Sequence, residues 1–289
     1  MIKPRIGIFG VGEMGAAVGR KLVESGYSVK VDVTGRSERS IKRVKDYNLS
    51  TTTTIKLLTS SDVLLSIVPP EKAFVVATTV ANQLSGLENK PLYVDCNAVS
   101  PNTIQKIYEL FQERNLNFLD ACIIGNPPTQ TNNPTFYASG TEENIDTFKQ
   151  LHDQGQGLNI KVAGQNVGAA SALKMSYSGI HKGIFAIVSA MTIAAEKHGA
   201  LDGLLGELAC SGIPQLEKAK NLTNFLGPRA YRFGFEMREI SEFAGHEDAE
   251  GSIYNGIANF YDRIAMDKNN NTTGEWSVLE DVSKKANSK

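Results

Sequence analysis

The sequence has little of what marks secreted, metal-binding or nucleic-acid-binding proteins. Only three of its 289 residues are cysteine, at positions 96, 122 and 210, and their spacing fits no metal site. So few thiols are typical of a reducing compartment, and we expect a cytoplasmic protein. The net charge of -1 predicts no binding to nucleic acid.

Long apolar runs and a leader pattern are also lacking. No apolar stretch approaches the length that spans a bilayer, so we expect no membrane partner. The first residues lead directly into a strand pattern, and we expect no signal sequence. The length of 289 residues predicts two globular domains, each with its own core, and the hydrophobic content of 41% argues against disorder.

What the chain does contain is a glycine-rich turn near its start. An apolar run at residues 5–9 is typical of a buried parallel strand, and residues 10–15 then fit G-x-G-x-x-G and open a helix. In that pattern Gly10 permits a tight turn, Gly12 lets backbone approach a pyrophosphate, and Gly15 allows close helix packing. A glycine-rich helix start without ligand is the alternative. The predicted cofactor contacts in the turn are Gly10, Gly12, Glu13, Met14 and Gly15.

The end of the second strand indicates which dinucleotide binds. Residues 29–33 alternate as a strand that leads into Thr34-Gly35-Arg36-Ser37. An acidic residue at this turn would favour NAD, but Asp32 lies before the turn. Arg36 and Ser37 match the 2′-phosphate of NADP(H), which we therefore favour over NAD.

Three more basic residues follow this turn, at positions 39, 42 and 43. An ordinary solvated helix face is the alternative to phosphate binding for Arg39 and Arg43. It is the interpretation that we favour for Lys42.

Strands and helices alternate through residues 1–163, which predicts an N-terminal, Rossmann-type, doubly wound sheet. Ligands lie outside the carboxyl ends of such strands. Val68 and Pro69, which follow one strand, are therefore predicted to contact the nicotinamide half of NADP(H). Asn97 follows the next strand and could either bond a loop or contact cofactor or substrate. The loop at residues 122–128 falls at the same edge, unless it is only a long turn.

At Gly164 the composition changes to a helical pattern. Residues 167–198 contain no proline and predict one helix about 45 Å long. Apolar residues occur nearly all round it, which predicts a buried central helix in an all-α domain of residues 164–289. Lys174, Ser178 and His181 stand out at i, i+4 and i+7 on one stripe, with Tyr177 beside them.

Lys174 is the strongest catalytic candidate in this helix. A buried lysine is costly unless paired, and burial lowers its pKa toward the range useful for proton transfer. The alternative is a lysine that reaches water from the helix start. His181 could be a hydrogen-bonded core histidine, and Ser178 an ordinary helix serine.

These motifs resemble the 6-phosphogluconate and 3-hydroxyisobutyrate dehydrogenase superfamily, the β-hydroxyacid dehydrogenases. The run Lys174-Met175-Ser176-Tyr177-Ser178-Gly179-Ile180-His181-Lys182-Gly183 is similar to K-M-V-H-N-G-I-E-Y-G of phosphogluconate dehydrogenases. The glycine turn and residues 66–69, 95–101 and 120–125 share the resemblance. It implies an NADP-dependent oxidoreductase of small hydroxy or oxo acids or related carbonyl compounds, with Lys174 as acid/base. It also implies a homodimer through the helical domain.

The chain departs from the family pattern at several positions. Ser178 stands where the family has a substrate-binding Asn, Tyr177 where it has a His, and His181 where decarboxylating enzymes have an acidic Glu. The match is closer to a branch with G-R-S after the second strand and I-I-G-x-P-P in the loop. The resemblance leaves two alternatives open: a non-catalytic NADP-binding redox sensor, and a decarboxylating phosphogluconate-type dehydrogenase. Imine reductases replace the lysine, so Lys174 argues against that activity.

The remaining predictions concern the substrate and the C-terminus. Arg232 could bind a substrate carboxylate, although a salt-bridged face with Glu236 and Glu239 is the simpler interpretation. The tail after residue 273 is predicted to be mobile or to serve for docking. The predicted catalytic residues are Lys174, His181 and Ser178. The predicted substrate contacts are Asn97, Ile124, Gly125, Tyr177, Ser178 and Arg232.

Overall fold

Short buried strands alternate with helices through the first half of the chain. The protein is seen in a computed structural model that describes residues 3–153, 156–212 and 214–287. The strands are β1 (Ile6–Phe9), β2 (Val29–Val31), β3 (Ser50–Thr51), β4 (Val63–Ser66), β5 (Leu92–Asp95), β6 (Phe118–Ile124), β7 (Thr135–Ser139), β8 (His152–Asp153), β9 (Gln156–Gly157) and β10 (Asn159–Gly164). The helices of this half are α1 (Glu13–Glu24), α2 (Glu38–Asp46), α3 (Thr54–Ser60), α4 (Ala73–Leu84), α5 (Pro101–Gln112) and α6 (Glu142–Lys149).

Within the described residues, eight strands form one sheet in the order β10-β7-β6-β5-β4-β1-β2-β3. β7 runs antiparallel to β6, and the other neighbouring pairs are parallel. The strand order reverses between β1 and β4, so the carboxyl ends of these two strands border the crevice where such sheets bind ligands. This doubly wound sheet confirms the predicted fold class.

Helices cover both faces of the sheet, and each face has its own hydrophobic cluster. One cluster contains Ile6, Ile8 and the phenylalanines 136 and 148. The other contains Leu64, Tyr93 and residues of α4 and α5. All four residues of β1 are buried, because a central parallel strand is covered on both sides.

Some elements were not predicted from the sequence. β3 is two exposed polar residues, and the β8–β9 hairpin is equally short, so neither has an apolar pattern to reveal it. The pattern of residues 117–121 predicts a strand, but β6 extends three residues beyond Ala121, because Ile123 and Ile124 pair with β7. Ser100 is the predicted N-cap of α5, and its side chain accepts a hydrogen bond from the Thr103 N–H.

The chain divides into two compact units, Met1–Lys174 and Met175–Lys289. The predicted domain boundary before residue 164 stays a prediction. Helix α7 (Ala169–Lys197) begins in the first unit and continues in the second. The second unit also contains α8 (Leu201–Cys210), α9 (Gln215–Lys220), α10 (Leu222–Leu226), α11 (Ala230–Gly245), α12 (Ala249–Asn270) and α13 (Glu275–Asn287).

Helix α7 is less buried than its composition predicted. Ile180, Ile187 and Met191 are 65%, 58% and 56% exposed, so one stripe of the helix is apolar and open. By length and composition the helix could cross a membrane, contrary to our expectation from the sequence. Half of its most apolar window is buried inside the protein, and core helices of this length meet the same criterion.

The C-terminal tail is not a loose segment within the described residues. α13 buries Leu279, Val282 and Ala286, so as far as Asn287 the mobile alternative is wrong and the tail packs on its own unit, in line with the docking alternative. An apolar repeat at helical spacing explains this packing. Ser288 and Lys289 lie outside the described residues, as does Ile213 in the predicted break after α8.

Candidate functional site

The glycine turn between β1 and α1 has the backbone that a dinucleotide site requires. Gly10 has φ +97°, and a Cβ there would lie 2.1 Å from the Ile67 carbonyl oxygen. A Cβ at Gly15 would lie 2.1 Å from the carbonyl oxygen of Gly10. At Gly12 no described atom beyond the adjoining residues lies within 4 Å of the Cβ position, so this side of the turn is open. The turn therefore fits a pyrophosphate at the N-terminus of α1.

The other two residues predicted for this turn differ from each other. Glu13 is exposed in the first turn of α1. Met14 is half-buried and packs against the hydrophobic core of the sheet. This packing is sufficient to explain an apolar residue at position 14, without a contact to the cofactor.

β2 ends at Val31 rather than at the predicted Val33, so Asp32 directly follows the strand, at the position where an acidic residue favours NAD. Asp32 is, however, already engaged by its own unit. Its carboxylate accepts hydrogen bonds from the Thr34 N–H, at 2.8 Å, and from the Thr54 hydroxyl. Partial burial raises the pKa of Asp32, but these bonds outweigh burial and hold it below its usual value. Arg36 and Ser37 are exposed at the turn that follows. Ser37 also caps α2 by accepting a hydrogen bond from the Ser40 N–H.

Arg43 lies closer to the glycine turn than the sequence indicated. It is half-buried on α2, and its Nη1 donates a hydrogen bond of 3.2 Å to the carbonyl oxygen of Val11. The interpretation as an ordinary solvated face is therefore wrong for Arg43. Helical spacing could not reveal a contact with a turn 32 residues earlier.

Asn97 anchors the loop that follows β4. Its Oδ1 accepts a hydrogen bond of 2.7 Å from the Val68 N–H, and its Nδ2 donates one of 3.0 Å to the Ser66 hydroxyl. Both ends of the amide are thus used, and Asn97 is 3% exposed. The structure supports the loop-bonding alternative, because Asn97 sets the position of Val68 and Pro69. Direct contact with cofactor or substrate stays a prediction.

Asp95 in turn accepts a hydrogen bond from the backbone of Asn97. Its Oδ1 accepts a hydrogen bond of 3.0 Å from the Asn97 N–H, while its buried Oδ2 has no partner among the described residues. Burial raises the pKa of Asp95 to about 7, and the nearby Asp120 adds to the shift. Asp95 therefore titrates near neutral pH.

Asp120 fixes the start of α7 to β6. Its carboxylate accepts hydrogen bonds from the N–H groups of Gly168, at 2.9 Å, and Ser171, at 3.2 Å. The hydroxyls of Ser139 and Ser171 also donate to it, each at 2.8 Å. Burial raises the pKa of Asp120, although hydrogen bonds from both serines oppose the shift. We did not predict this role, although a carboxylate inside a buried strand was a signal for it.

Lys174 lies one turn further along α7, and its side chain reaches back to β6. Its Nζ donates a hydrogen bond of 2.7 Å to the Ile123 carbonyl oxygen, near the carboxyl end of β6. This is the edge of the sheet that also carries Val68 and Asn97. The lysine is half-buried rather than extended into water.

Two groups lie beside Lys174 on β6 and its loop. Burial raises the pKa of the Cys122 thiol to about 12, even with Lys174 nearby, so the thiol stays protonated. Ile124 ends β6, and Gly125 follows with φ +129°, a conformation that favours glycine. The first unit thus brings Lys174, Ile124 and Gly125 together.

The remaining predicted site residues belong to the second unit. Ser178 is buried, and Tyr177 is half-exposed and stacks on His181 with ring centroids 5.9 Å apart. His181 also meets the edges of Phe185 and Phe225.

Arg232 forms the salt bridge that the simpler interpretation predicted. Its Nε lies 3.7 Å from a carboxylate oxygen of Glu236, which also bonds Lys182. Substrate binding by Arg232 stays a prediction.

Comparison with known proteins agrees with this geometry. A family model described as the NAD binding domain of 6-phosphogluconate dehydrogenase matches residues 5–164, and a domain of unknown function matches residues 195–264. An uncharacterised protein of Methanothermus fervidus is 33% identical over 202 residues, which cover 70% of this chain and 74% of that protein.

Two solved structures share the fold over most of both chains. The 3-hydroxyisobutyrate dehydrogenase of Mycobacterium tuberculosis, solved with L-serine, has a TM-score of 0.73 and 16% identity over 97% of this chain and 99% of its own. An imine reductase of Myxococcus stipitatus, solved with NADP+, has a TM-score of 0.55 and 16% identity over 96% and 99%.

Proposed function

The chain belongs to the family of the NAD-binding domain of 6-phosphogluconate dehydrogenase, as its motifs predicted, and we propose that it is an NADP-dependent oxidoreductase. Its substrate would be a small hydroxy or oxo acid or a related carbonyl compound. The observation that carries this proposal is the position of Lys174 at the carboxyl edge of the same sheet that ends β1 in an open glycine turn.

The residues that would hold the cofactor lie after the ends of β1 and β4 and in the basic turn after β2. The N-terminus of α1 would bind the pyrophosphate, and the anchored Val68–Pro69 loop would border the nicotinamide. Asp32 is engaged by Thr34 and Thr54, whereas Arg36 is exposed, and this favours a 2′-phosphate over a free 2′-hydroxyl.

Lys174 would move the proton of the reaction. The chemistry that a bound nicotinamide supplies is hydride transfer to or from the substrate carbon. In the reducing direction Lys174 gives a proton from Nζ to the carbonyl oxygen, and in the oxidising direction it takes the hydroxyl proton. Its bond to the Ile123 carbonyl oxygen orients the ammonium group before substrate binds.

Ser178 and Tyr177 would orient the substrate from the same helix, and Ile124 and Gly125 would form its wall. His181 replaces the acid of decarboxylating enzymes, which disfavours decarboxylation without removing it as an outcome. The redox-sensor alternative predicts NADPH binding without turnover. Lys174 argues against it, because cofactor binding alone does not need a half-buried lysine.

Calorimetric titration of NADPH and NADH into wild type and Arg36→Ala tests the cofactor. Loss of one charge-assisted phosphate contact should weaken NADPH binding tenfold or more and leave NADH binding unchanged. Equal binding of both dinucleotides to wild type would contradict the preference for NADP.

Turnover of NADPH with a panel of small oxo acids tests the activity. Lys174→Met should lower kcat by about 10²–10⁴ while NADPH affinity stays within about twofold, because an acid/base residue acts in the chemical step. Lys161→Met, an exposed lysine of the same unit, is the matched control. Carbon dioxide release would indicate the decarboxylating alternative, and NADPH binding without turnover would indicate the sensor.

The apolar stripe of α7 supports a homodimer through the helical unit. Ile187→Glu, which places a charge in that stripe, should convert the dimer to monomer in light scattering. Val75→Glu is the control, because Val75 is a similarly exposed apolar residue of the first unit. A wild-type monomer would contradict this proposal. The cytoplasmic location stays a prediction.

A further inference from the structure

The loop between β6 and β7 is folded as a unit by its own hydrogen bonds. The side-chain amide of Asn132 donates to the carbonyl oxygens of Asn126, at 2.8 Å, and Pro127, at 3.1 Å. The Thr129 N–H donates to the Asn132 carbonyl oxygen, and the Thr129 hydroxyl accepts from the Asn132 N–H. These bonds shape the loop, while its bonds to other elements fix where it lies.

One anchor joins this loop to α1, the helix that begins at the glycine turn. Arg20 lies on α1, and its Nη2 donates a hydrogen bond of 2.9 Å to the Pro128 carbonyl oxygen. Pro128 is buried, although Asn126 and Thr129 on either side are exposed. The contact joins segments 108 residues apart.

The guanidinium of Arg20 is held from several sides. It lies 4.6 Å above the ring of Tyr47, and its Nε is 3.7 Å from a carboxylate oxygen of Glu24. That Nε is buried and has no hydrogen-bond partner in the described part of the chain. The planar group is thus stacked and oriented toward Pro128 at the cost of one unsatisfied donor.

A second anchor reaches the same helix by another path. The Asn133 side chain donates to the Gly157 carbonyl oxygen at 3.1 Å, and the Gly157 N–H donates to the Ser25 hydroxyl at 2.9 Å. Ser25 directly follows α1. Both anchors therefore connect the loop to α1, the helix whose N-terminus is the proposed pyrophosphate site.

We propose that Arg20 is a positioning residue that places the loop of residues 126–133, and with it the substrate wall at Ile124 and Gly125, relative to the cofactor helix. This inference rests on the proposed function only in its assumption that the substrate contacts this part of the chain. Arg20 lies in the second turn of α1, beyond the phosphate-binding end, so its loss should free the loop without weakening the cofactor site. The effect should appear in KM for the oxo acid rather than in kcat or in NADPH affinity.

Arg20→Met tests the anchor, because methionine keeps an apolar stem over Tyr47 and removes the donors. Amide hydrogen exchange at Thr129 and Asn132 should become roughly tenfold faster, as expected for one lost charge-assisted hydrogen bond. Arg5→Met is the matched control, since it breaks an exposed ion pair with Asp62 elsewhere in the unit. Unchanged loop exchange in Arg20→Met would overturn the proposal.

The kinetic part separates positioning from general loss of structure. With the best oxo acid of the panel, Arg20→Met should raise KM about tenfold, with kcat and the NADPH dissociation constant within about twofold. Arg20→Lys, which retains one donor, should recover part of the KM. Faster loop exchange with unchanged KM would overturn the role in substrate placement. If wild type turns over no oxo acid, the proposed function fails, and the exchange measurement alone decides whether Arg20 anchors the loop.

Discussion

Two buried carboxylates, Asp120 of the first unit and Glu236 of the second, are satisfied in different ways. In the first unit, Asp120 accepts from backbone N–H groups and hydroxyls, and Lys174 and Arg43 donate to backbone carbonyl oxygens. In the second unit, Glu236 pairs directly with Lys182 and Arg232. A bond to a carbonyl oxygen orients a cation without a neutralising carboxylate, which suits a unit that has to bind phosphates.

The largest expected effect concerns Asp95, a buried carboxyl of the first unit whose Oδ2 has no hydrogen-bond partner among the described residues. Its pKa rises from 3.8 to about 7 on folding, so between these pH values the folded chain holds a proton that the unfolded chain has lost. Stability should therefore fall as the pH rises through this window, by at most about 4 kcal/mol. Asp95→Asn keeps the acceptor for the Asn97 N–H and should remove most of this dependence.

The measurement is native-state hydrogen exchange of β5 and β6 amides from pH 4 to 8, corrected for intrinsic exchange. It reports the first unit alone, which a global melting curve does not. Asp62→Asn is the control, because Asp62 is exposed and its pKa is lowered mainly by its bond to Arg5. Equal pH dependence in wild type and Asp95→Asn would contradict the assignment.

Breaking the ion pair of the second unit should have the next largest effect. Lys182→Met leaves Glu236 buried with only the more distant Arg232, and we expect a loss of about 3 kcal/mol. The double variant Lys182→Met/Glu236→Leu should recover most of it, since removing both charges removes the desolvation cost. Trp276 is the one tryptophan and lies in this unit, so its fluorescence during urea unfolding is the readout. A double variant less stable than the single variant would show that the pair itself is stabilising.

No such recovery is available for Asp120. Its partners include the N–H groups of Gly168 and Ser171, which only proline substitutions would remove, and proline would itself disturb the start of α7. Asp120→Asn should cost about 2 kcal/mol in the first unit, because an amide replaces two acceptor oxygens with one. Hydrogen exchange at the start of α7 measures this, again with Asp62→Asn as control. Unchanged protection would mean that α7 does not depend on Asp120.

This contrast explains which features the sequence could predict. β5 and β7 each coincide with a short apolar run bounded by polar or turn-forming residues, a pattern that predicts a strand. α7 was predicted within two residues at each end from its long proline-free pattern. Local patterns determine local elements, and they also identified Lys174.

The contacts that organise the site were not predictable in the same way. Asp120 meets α7 across 48 to 51 residues, and Arg43 meets the glycine turn across 32. Backbone partners have no side-chain signature, so a bond from Lys174 to a carbonyl oxygen leaves no motif. The salt bridge of Arg232 with Glu236 is a spacing of four residues on one helix, and that one was predicted.

The smallest expected effect is that of Arg43 on dinucleotide affinity. Its bond to the Val11 carbonyl oxygen uses one donor and holds the guanidinium beside the glycine turn. Arg43→Ala should weaken NADPH binding about tenfold and NADH binding by less than about threefold. Arg39→Ala is the matched control, because Arg39 is an exposed arginine of the same helix. Titration of both variants with both dinucleotides measures this. An equal loss of NADPH affinity in both variants would indicate a general attraction by positive charge and would contradict a defined contact. A loss of affinity confined to Arg43→Ala would support a defined contact between Arg43 and the cofactor.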